Sequence, residues 1–136
     1  MKRIPNFVQI LTTTAKKGDA EKIANVLLDK KLSACTQIVG PITSIYRWQG
    51  KKEKSKEWLC VIKTERNHYK KIERLLQKIH PYKLPEIIAT PIINGSLEYL
   101  AWMRKPRIKK QEGQASKYQG LTLLPQDAKP HSASEY

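Results

Sequence analysis

The sequence predicts an α+β protein of ferredoxin-like topology, in the order strand, helix, strand, strand, helix, strand, with a short C-terminal helix. Two stretches with apolar residues at helical spacing separate four stretches that are rich in strand-forming residues. The second and third strands are consecutive and predict a long hairpin. In this topology the third strand lies between the first and second, and right-handed crossovers place both helices on one face of the sheet. The other face stays open unless a partner covers it.

The first strand is predicted at Phe7–Thr13, where only Gln9 interrupts an apolar and β-branched run. A helix should follow, because apolar residues recur at helical spacing. These residues are Ala20, Ile23, Ala24, Leu27 and Leu28. Asp19 is placed to cap the N-terminus of this helix or to interact favourably with its dipole.

The second strand is predicted to begin at Ala34 and to bend or bulge at Gly40-Pro41, since proline cannot donate to a strand ladder. It resumes as an alternating stretch through Gln49, which indicates a strand with one solvated face. A polar loop is expected at Lys51–Lys56. Trp58–Ile62 then returns as an unbroken apolar run, which is typical of a strand covered on both faces.

Two aromatic side chains near the hairpin tip, Tyr46 and Trp48, share one face of the second strand. A single sheet offers them little to pack against, whereas a long edge strand needs to be covered. We therefore predict that Tyr46 and Trp48 lie at an interface between copies of the chain. A platform for stacking a ligand is the alternative.

The second half of the chain predicts a helix capped by Asn67, with an apolar stripe along one face. A last strand at Ile87–Ile93 contains Pro91, which is tolerable only near an edge or a bulge. A short helix should follow and end at Pro106, with Leu97, Leu100 and Ala101 facing inward.

Residues 1–106 are predicted to form one domain, and the polar segment 107–136 to form a flexible C-terminal tail. The chain has 136 residues and a net charge of +14, from 26 Lys+Arg against 12 Asp+Glu. Such an excess attracts nucleic acids and other polyanions, but its even spread along the chain is typical of a solvated surface.

The two cysteines, Cys35 and Cys60, are expected to be small buried apolar residues in a reducing compartment, with a disulfide as the alternative. Met1-Lys2-Arg3 resembles the start of a signal peptide, but Pro5, Asn6 and Gln9 interrupt the apolar stretch that should follow. No later apolar run approaches the length of a membrane span. A cytoplasmic protein is therefore expected.

Five segments, in this order, resemble the divalent-cation tolerance protein (CutA) family over residues 6–103. Each is weak alone, but together they are specific. They are Lys31-Leu32-Ser33-Ala34-Cys35, the hairpin stretch Ser44 to Lys51, Ile62-Lys63-Thr64, the stretch His80 to Ala89, and Tyr99-Leu100-Ala101-Trp102.

The resemblance implies a cytoplasmic homotrimer whose long hairpins pair edge to edge, similar in shape to the PII nitrogen-signalling proteins. It also implies a link to tolerance of copper and other divalent metals, with no accepted reaction. A pocket between subunits near Trp48, Lys63, Tyr82 and Glu86 would serve an unidentified small ligand or protein partner. A structural ion pair between Lys63 and Glu86 is the alternative.

The resemblance places a copper site around the first strand and the end of the second helix, where this chain carries Thr12, Ile79 and His80. Only His80 is a good ligand, and such metals prefer clustered Cys or His. We expect any binding of copper or another divalent metal to be weak.

The residues offer no nucleophile with its base, no carboxylate pair and no phosphate loop at a telling spacing, so no enzymatic activity is expected. The alternative function is a basic RNA-binding module, because the RRM shares this strand order. An RRM needs aromatic rings on its third strand, whereas Glu57–Ile62 supplies one, Trp58.

Overall fold

The computed structural model describes residues 6–104. The predicted domain limit at residue 106 and the predicted flexible tail, 107–136, lie outside these residues. The elements are β1 (Phe7–Thr14), α1 (Lys17–Asp29), β2 (Cys35–Trp48), β3 (Lys51–Glu65), a 3-10 helix (Arg66–His68), α2 (Tyr69–Ile79), β4 (Ile88–Ile92) and α3 (Leu97–Arg104). Within residues 6–104, no helix is both long enough and apolar enough to cross a bilayer.

The four strands form one antiparallel sheet in the order β2-β3-β1-β4. The predicted α+β class and strand order are therefore confirmed, with the third strand between the first and second. Among the described strands, β4 pairs with β1 alone and forms an edge of the sheet. This position explains how Pro91 fits inside β4, because an edge strand leaves one side without ladder partners.

The main core lies between one face of the sheet and both long helices. The side chains that form it come from β1, β3, α1 and α2, and they include Ile10, Cys60, Ile62, Ile23, Leu27, Ile72 and Leu76. Each fully buried aliphatic side chain contributes about 1.5–3 kcal/mol. On the opposite face, α3 places Met103 against Phe7 and Ala34 and covers one end of the sheet.

The hairpin differs from its prediction, because the polar loop expected at Lys51–Lys56 is wrong. These residues belong to β3, and the turn consists only of Gln49 and Gly50. Their φ angles are 50° and 78°, and such a two-residue turn matches the right-handed twist of the flanking strands. The lysines here are solvent-exposed strand residues, so their polarity does not interrupt the ladder.

The predicted cap of α2 by Asn67 is also wrong. Asn67 lies within the 3-10 helix, and His68 occupies the N-cap of α2 without a side-chain cap bond. The backbone N–H of Arg66 donates to the carbonyl oxygen of Asn6 at 2.7 Å, so the residue that precedes β1 fixes the position of this turn. Asp19 lies in the first turn of α1, where its carboxylate interacts favourably with the helix dipole, and it is not the N-cap residue.

The predicted irregularity at Gly40-Pro41 is confirmed as a register shift between Val39 and Ile42. Val39 pairs with Leu59, whereas Ile42 pairs with Glu57. Since side chains alternate along a strand, the shift moves the even-numbered residues of β2 onto the face that carries Glu57. This face is opposite α1 and α2, and it now includes Tyr46 and Trp48.

Candidate ligand-binding cavity

A cavity of about 430 Å³ lies on the open face of the sheet, beside the hairpin. Three aromatic residues, Tyr46, Trp48 and Tyr82, contribute to its wall. Its other lining residues are Thr13, Glu57, Lys83, Leu84 and Glu86. Small-molecule sites usually have volumes of roughly 300–1,000 Å³ and combine apolar walls with a few polar groups, so this cavity has the size and lining of a ligand site.

The segment that follows α2, residues 80–86, closes the cavity over the sheet. His80 holds this segment in place through both ring nitrogens. Its Nε2 lies 2.9 Å from the carbonyl oxygen of Thr13, and its Nδ1 accepts the backbone N–H of Tyr82 at 3.0 Å. These bonds assign a neutral imidazole that donates from Nε2.

Burial lowers the pKa of His80 and outweighs the Thr13 carbonyl and the carboxylates of Asp19 and Glu57, which act in the opposite direction. His80 is 8% exposed and stays neutral near pH 7. Its role in this structure is to join α2, β1 and the segment 80–86.

The residues at the implied copper site do not fit a copper ion. Both ring nitrogens of His80 are engaged, Ile79 is apolar, and Thr12 is a fully buried neutral side chain. Copper needs nitrogen or sulfur ligands with free lone pairs. Across residues 6–104, no three His, Cys, Asp or Glu side chains cluster in a way that could hold a metal ion.

Glu57 is the most deeply buried charged residue of the cavity, at 8% exposed. Its Oε2 accepts a hydrogen bond from the hydroxyl of Tyr82 at 2.8 Å. Burial acts to raise the pKa of Glu57, but hydrogen bonds from Ser44, Tyr82 and Thr13 outweigh it and lower that pKa. Glu57 is therefore an ionised carboxylate at neutral pH. The same contact and burial raise the pKa of Tyr82.

Glu57 is not among the site residues predicted from the sequence. A charged residue just before an apolar run normally indicates a strand end at the surface. Here the register shift in β2 and the segment 80–86 bury it. Gly40-Pro41 predicts an irregularity in β2, but the pattern around Glu57 does not show that this residue becomes buried. The flanking apolar run at Trp58–Ile62 gave no signal of this role.

Three of the four residues predicted to form a pocket, Trp48, Tyr82 and Glu86, line this cavity. Lys63 does not line it. Its Nζ lies 5.6 Å from the ring centroid of Tyr99, on α3. Within the described chain, no ion pair joins Lys63 to Glu86.

The two residues predicted to lie at an interface, Tyr46 and Trp48, are 44% and 52% exposed in the single chain. They therefore contribute to the cavity with one part of each ring and leave the rest in solvent. A surface that covers them would also narrow the mouth of the cavity.

Comparison with known proteins gives a consistent match to one family. The family model described as CutA1 divalent ion tolerance protein matches residues 8–106. The chain is 41% identical over 96 residues to the divalent-cation tolerance protein CutA of Thermus thermophilus, covering 71% of this chain and 93% of that protein.

Two further matches show how widely the similarity extends. The human protein CutA is 38% identical over 86 residues, which are 63% of this chain but only 48% of the human protein. A solved structure from Archaeoglobus fulgidus, titled a periplasmic divalent cation tolerance protein CutA, matches with a TM-score of 0.71 and 35% identity. That match covers 74% of this chain and 97% of the solved one.

Proposed function

The chain belongs to the CutA1 family of divalent ion tolerance proteins, and on that premise we propose that it acts as a non-enzymatic homotrimer in the cytoplasm. In this proposal the trimer is a PII-like scaffold whose cavity receives a small ligand or a segment of a protein partner. It would contribute to the response to metal ions without a metal cofactor of its own.

The observation that carries the proposal is the apolar surface of the hairpin. Ile45, Trp48 and Tyr46 are 65%, 52% and 44% exposed at the end of two strands of 14 and 15 residues. Within residues 6–104, β2 is also an edge strand whose outer backbone groups have no ladder partner. Such an edge favours pairing with another chain.

Apolar residues at the other edge of the sheet, formed by β4, favour a closed ring of subunits instead of a dimer. Ile88, the first residue of β4, and Ile93, which follows its last residue, are 50% and 76% exposed. A copy of the chain would then present two different apolar edges, and head-to-tail contact between different surfaces generates a ring when the rotation closes. A ring of three copies would cover both edges in every subunit.

The cytoplasmic location draws support from the cysteines. Cys35 and Cys60 are both free thiols, and Cys60 is fully buried. Burial raises the pKa of Cys60 to about 11, so the thiol is unreactive at neutral pH. This agrees with the small buried apolar role expected of it in a reducing compartment.

Light scattering coupled to size exclusion tests the assembly directly. We expect the full-length chain to have three times its monomer mass at micromolar concentration. Trp48→Glu should dissociate the trimer, because it places a charge in an apolar interface. Leu28→Glu is the matched control, since Leu28 is 51% exposed but lies on α1.

A monomeric wild-type chain would contradict the proposal. If the wild type is trimeric and Trp48→Glu is equally so, the trimer stands but Trp48 is not part of its interface. If both variants dissociate, the effect does not report on the hairpin.

The RNA-binding alternative gains little from the structure. The one ring of the third strand, Trp58, packs against the main core on the helix-bearing face, with Lys17 Nζ 5.6 Å from its ring centroid. On the open face, the central strands carry Leu11, Leu59 and Val61, and the ring of Phe7 on this face is buried beneath Met103 of α3. A titration with single-stranded RNA at several salt concentrations separates the two functions, because a steep salt dependence with tight binding would favour RNA.

A further inference from the structure

We infer that the cavity beside the hairpin binds an organic primary ammonium ion, with the amine directed at Glu57 and the organic group held between aromatic rings. This inference rests on the proposed function and deepens it by naming the class of ligand for the same cavity.

The charged residues that line the cavity are mostly acidic. Glu57 and Glu86 line the cavity against one lysine, Lys83, in a chain whose net charge is +14. Glu57 is 8% exposed as a residue, whereas Lys83 is solvent-exposed. A cavity with this lining attracts cations although the protein surface as a whole repels them.

Within residues 6–104, no Lys or Arg forms an ion pair with Glu57. Its Oε2 accepts a hydrogen bond from the hydroxyl of Tyr82, and the neutral side chains of Ser44 and Thr13 also favour its ionised form. His80, the basic side chain whose charge would act on Glu57, is held neutral by burial and by the two hydrogen bonds of its ring. A buried carboxylate is normally paired with a positive charge, and a ligand ammonium group would supply it.

The wall of the cavity contains three aromatic residues. Tyr46, Trp48 and Tyr82 present aromatic surface to the same space. Aromatic faces attract ammonium groups within about 6 Å of the ring centroid and also bury apolar ligand surface. An ammonium ion with a compact organic group satisfies both the rings and the carboxylates, whereas a hydrated metal ion gains little from three rings.

The inference is tested with three probes of similar size and different charge: 2-phenylethylamine, which is cationic at pH 7, neutral 2-phenylethanol and anionic phenylacetate. Isothermal titration calorimetry on the full-length chain measures their affinities, and light scattering on the same samples reports the assembly. We expect the amine to bind with a Kd of about 1 mM or tighter. It should bind at least about ten-fold more tightly than the alcohol, because a buried charge-assisted hydrogen bond is worth that factor.

Three variants assign the effect to residues. Glu57→Gln keeps the shape of the side chain but removes its charge, and should weaken amine binding about ten-fold or more. Glu86→Gln, at an exposed lining position, should weaken it by a smaller factor. Glu98→Gln is the control, because Glu98 is exposed on α3 and does not line the cavity. This variant should bind the amine with the same affinity as the wild type.

Equal affinity for the amine and the alcohol would overturn the inference, as would preference for phenylacetate or no amine binding at millimolar concentration. If the chain is trimeric and the amine does not bind, the inference fails while the proposed assembly stands. If the chain is monomeric, the proposed assembly fails whatever the calorimetry shows. Should Glu57→Gln fail to fold, the amine-to-alcohol ratio and Glu86→Gln still decide the outcome.

Discussion

Removing a single hydroxyl group, in Tyr82→Phe, should measurably destabilise the protein, because this hydroxyl donates to the buried carboxylate of Glu57 at 2.8 Å. A hydrogen bond to a charged group contributes about 1.5–3 kcal/mol. Ser44 and Thr13 also stabilise the ionised form of Glu57, so we expect a loss near the lower limit, about 1.5 kcal/mol. For a domain of this size, each kcal/mol lowers Tm by about 4–8 °C.

The assay is urea denaturation at pH 7 and at one fixed protein concentration, since oligomer stability depends on concentration. The midpoint should fall while the m-value stays unchanged. Tyr99→Phe is the matched control, because the Tyr99 hydroxyl is buried and has no hydrogen-bond partner among residues 6–104. Its removal should cost nothing or should stabilise the protein slightly.

The pH dependence gives a second test of the same contact. The pKa of Glu57 is lowered from 4.5 in the folded protein, so its contribution is present above pH 4.5 and is lost as pH falls through the folded pKa. The difference between wild type and Tyr82→Phe should therefore shrink below pH 4.5. Equal losses in Tyr82→Phe and Tyr99→Phe, or a difference independent of pH, would refute the reasoning.

Two further perturbations test the elements that position the cavity. Gly40→Ala should destabilise the protein by about 1–3 kcal/mol, because an added Cβ would lie 2.4 Å from Cε3 of Trp58. Gly18→Ala is the control, since its added Cβ would lie in open space, and it should be neutral or stabilising. Thermal denaturation measures both variants. His80→Gln should lower stability at pH 7 and flatten its pH dependence. The pKa of His80 is lowered from 6.5, so the wild type loses stability as pH falls below 6.5 because the unfolded chain takes up the proton. A wild-type stability that is constant between pH 7 and pH 5 would contradict this.

Local patterns in the sequence determined the identity and order of the main elements. Helical spacing in Ile23 and Leu27, strand formers in Phe7–Thr13 and the two prolines at positions 41 and 91 each depend on near neighbours in the chain. Because these signals depend only on neighbouring residues, they predict the elements from the sequence without knowledge of the tertiary structure. The strand order then followed from general rules on connections, which apply to any chain with this sequence of elements.

Only the tertiary structure decided where the charged residues lie. Lys51–Lys56 looks like a loop by composition, yet it is strand because the positive φ angles of Gln49 and Gly50 close the hairpin tightly. The family resemblance suggested one pocket formed by four residues, and the structure separates Lys63 from the other three. Lys63 lies beside Tyr99, whereas Glu86 lines the cavity.

Glu57 shows the physical reason most clearly. Its burial depends on the register shift between Val39 and Ile42 and on the packing of Tyr82, which is 25 residues away in sequence. Gly40-Pro41 marked the position of the shift, but the burial of Glu57 also depends on contacts between residues far apart in the chain, which a short stretch of sequence does not specify. The sequence thus determined which elements form, and the tertiary structure determined which side chains share the cavity.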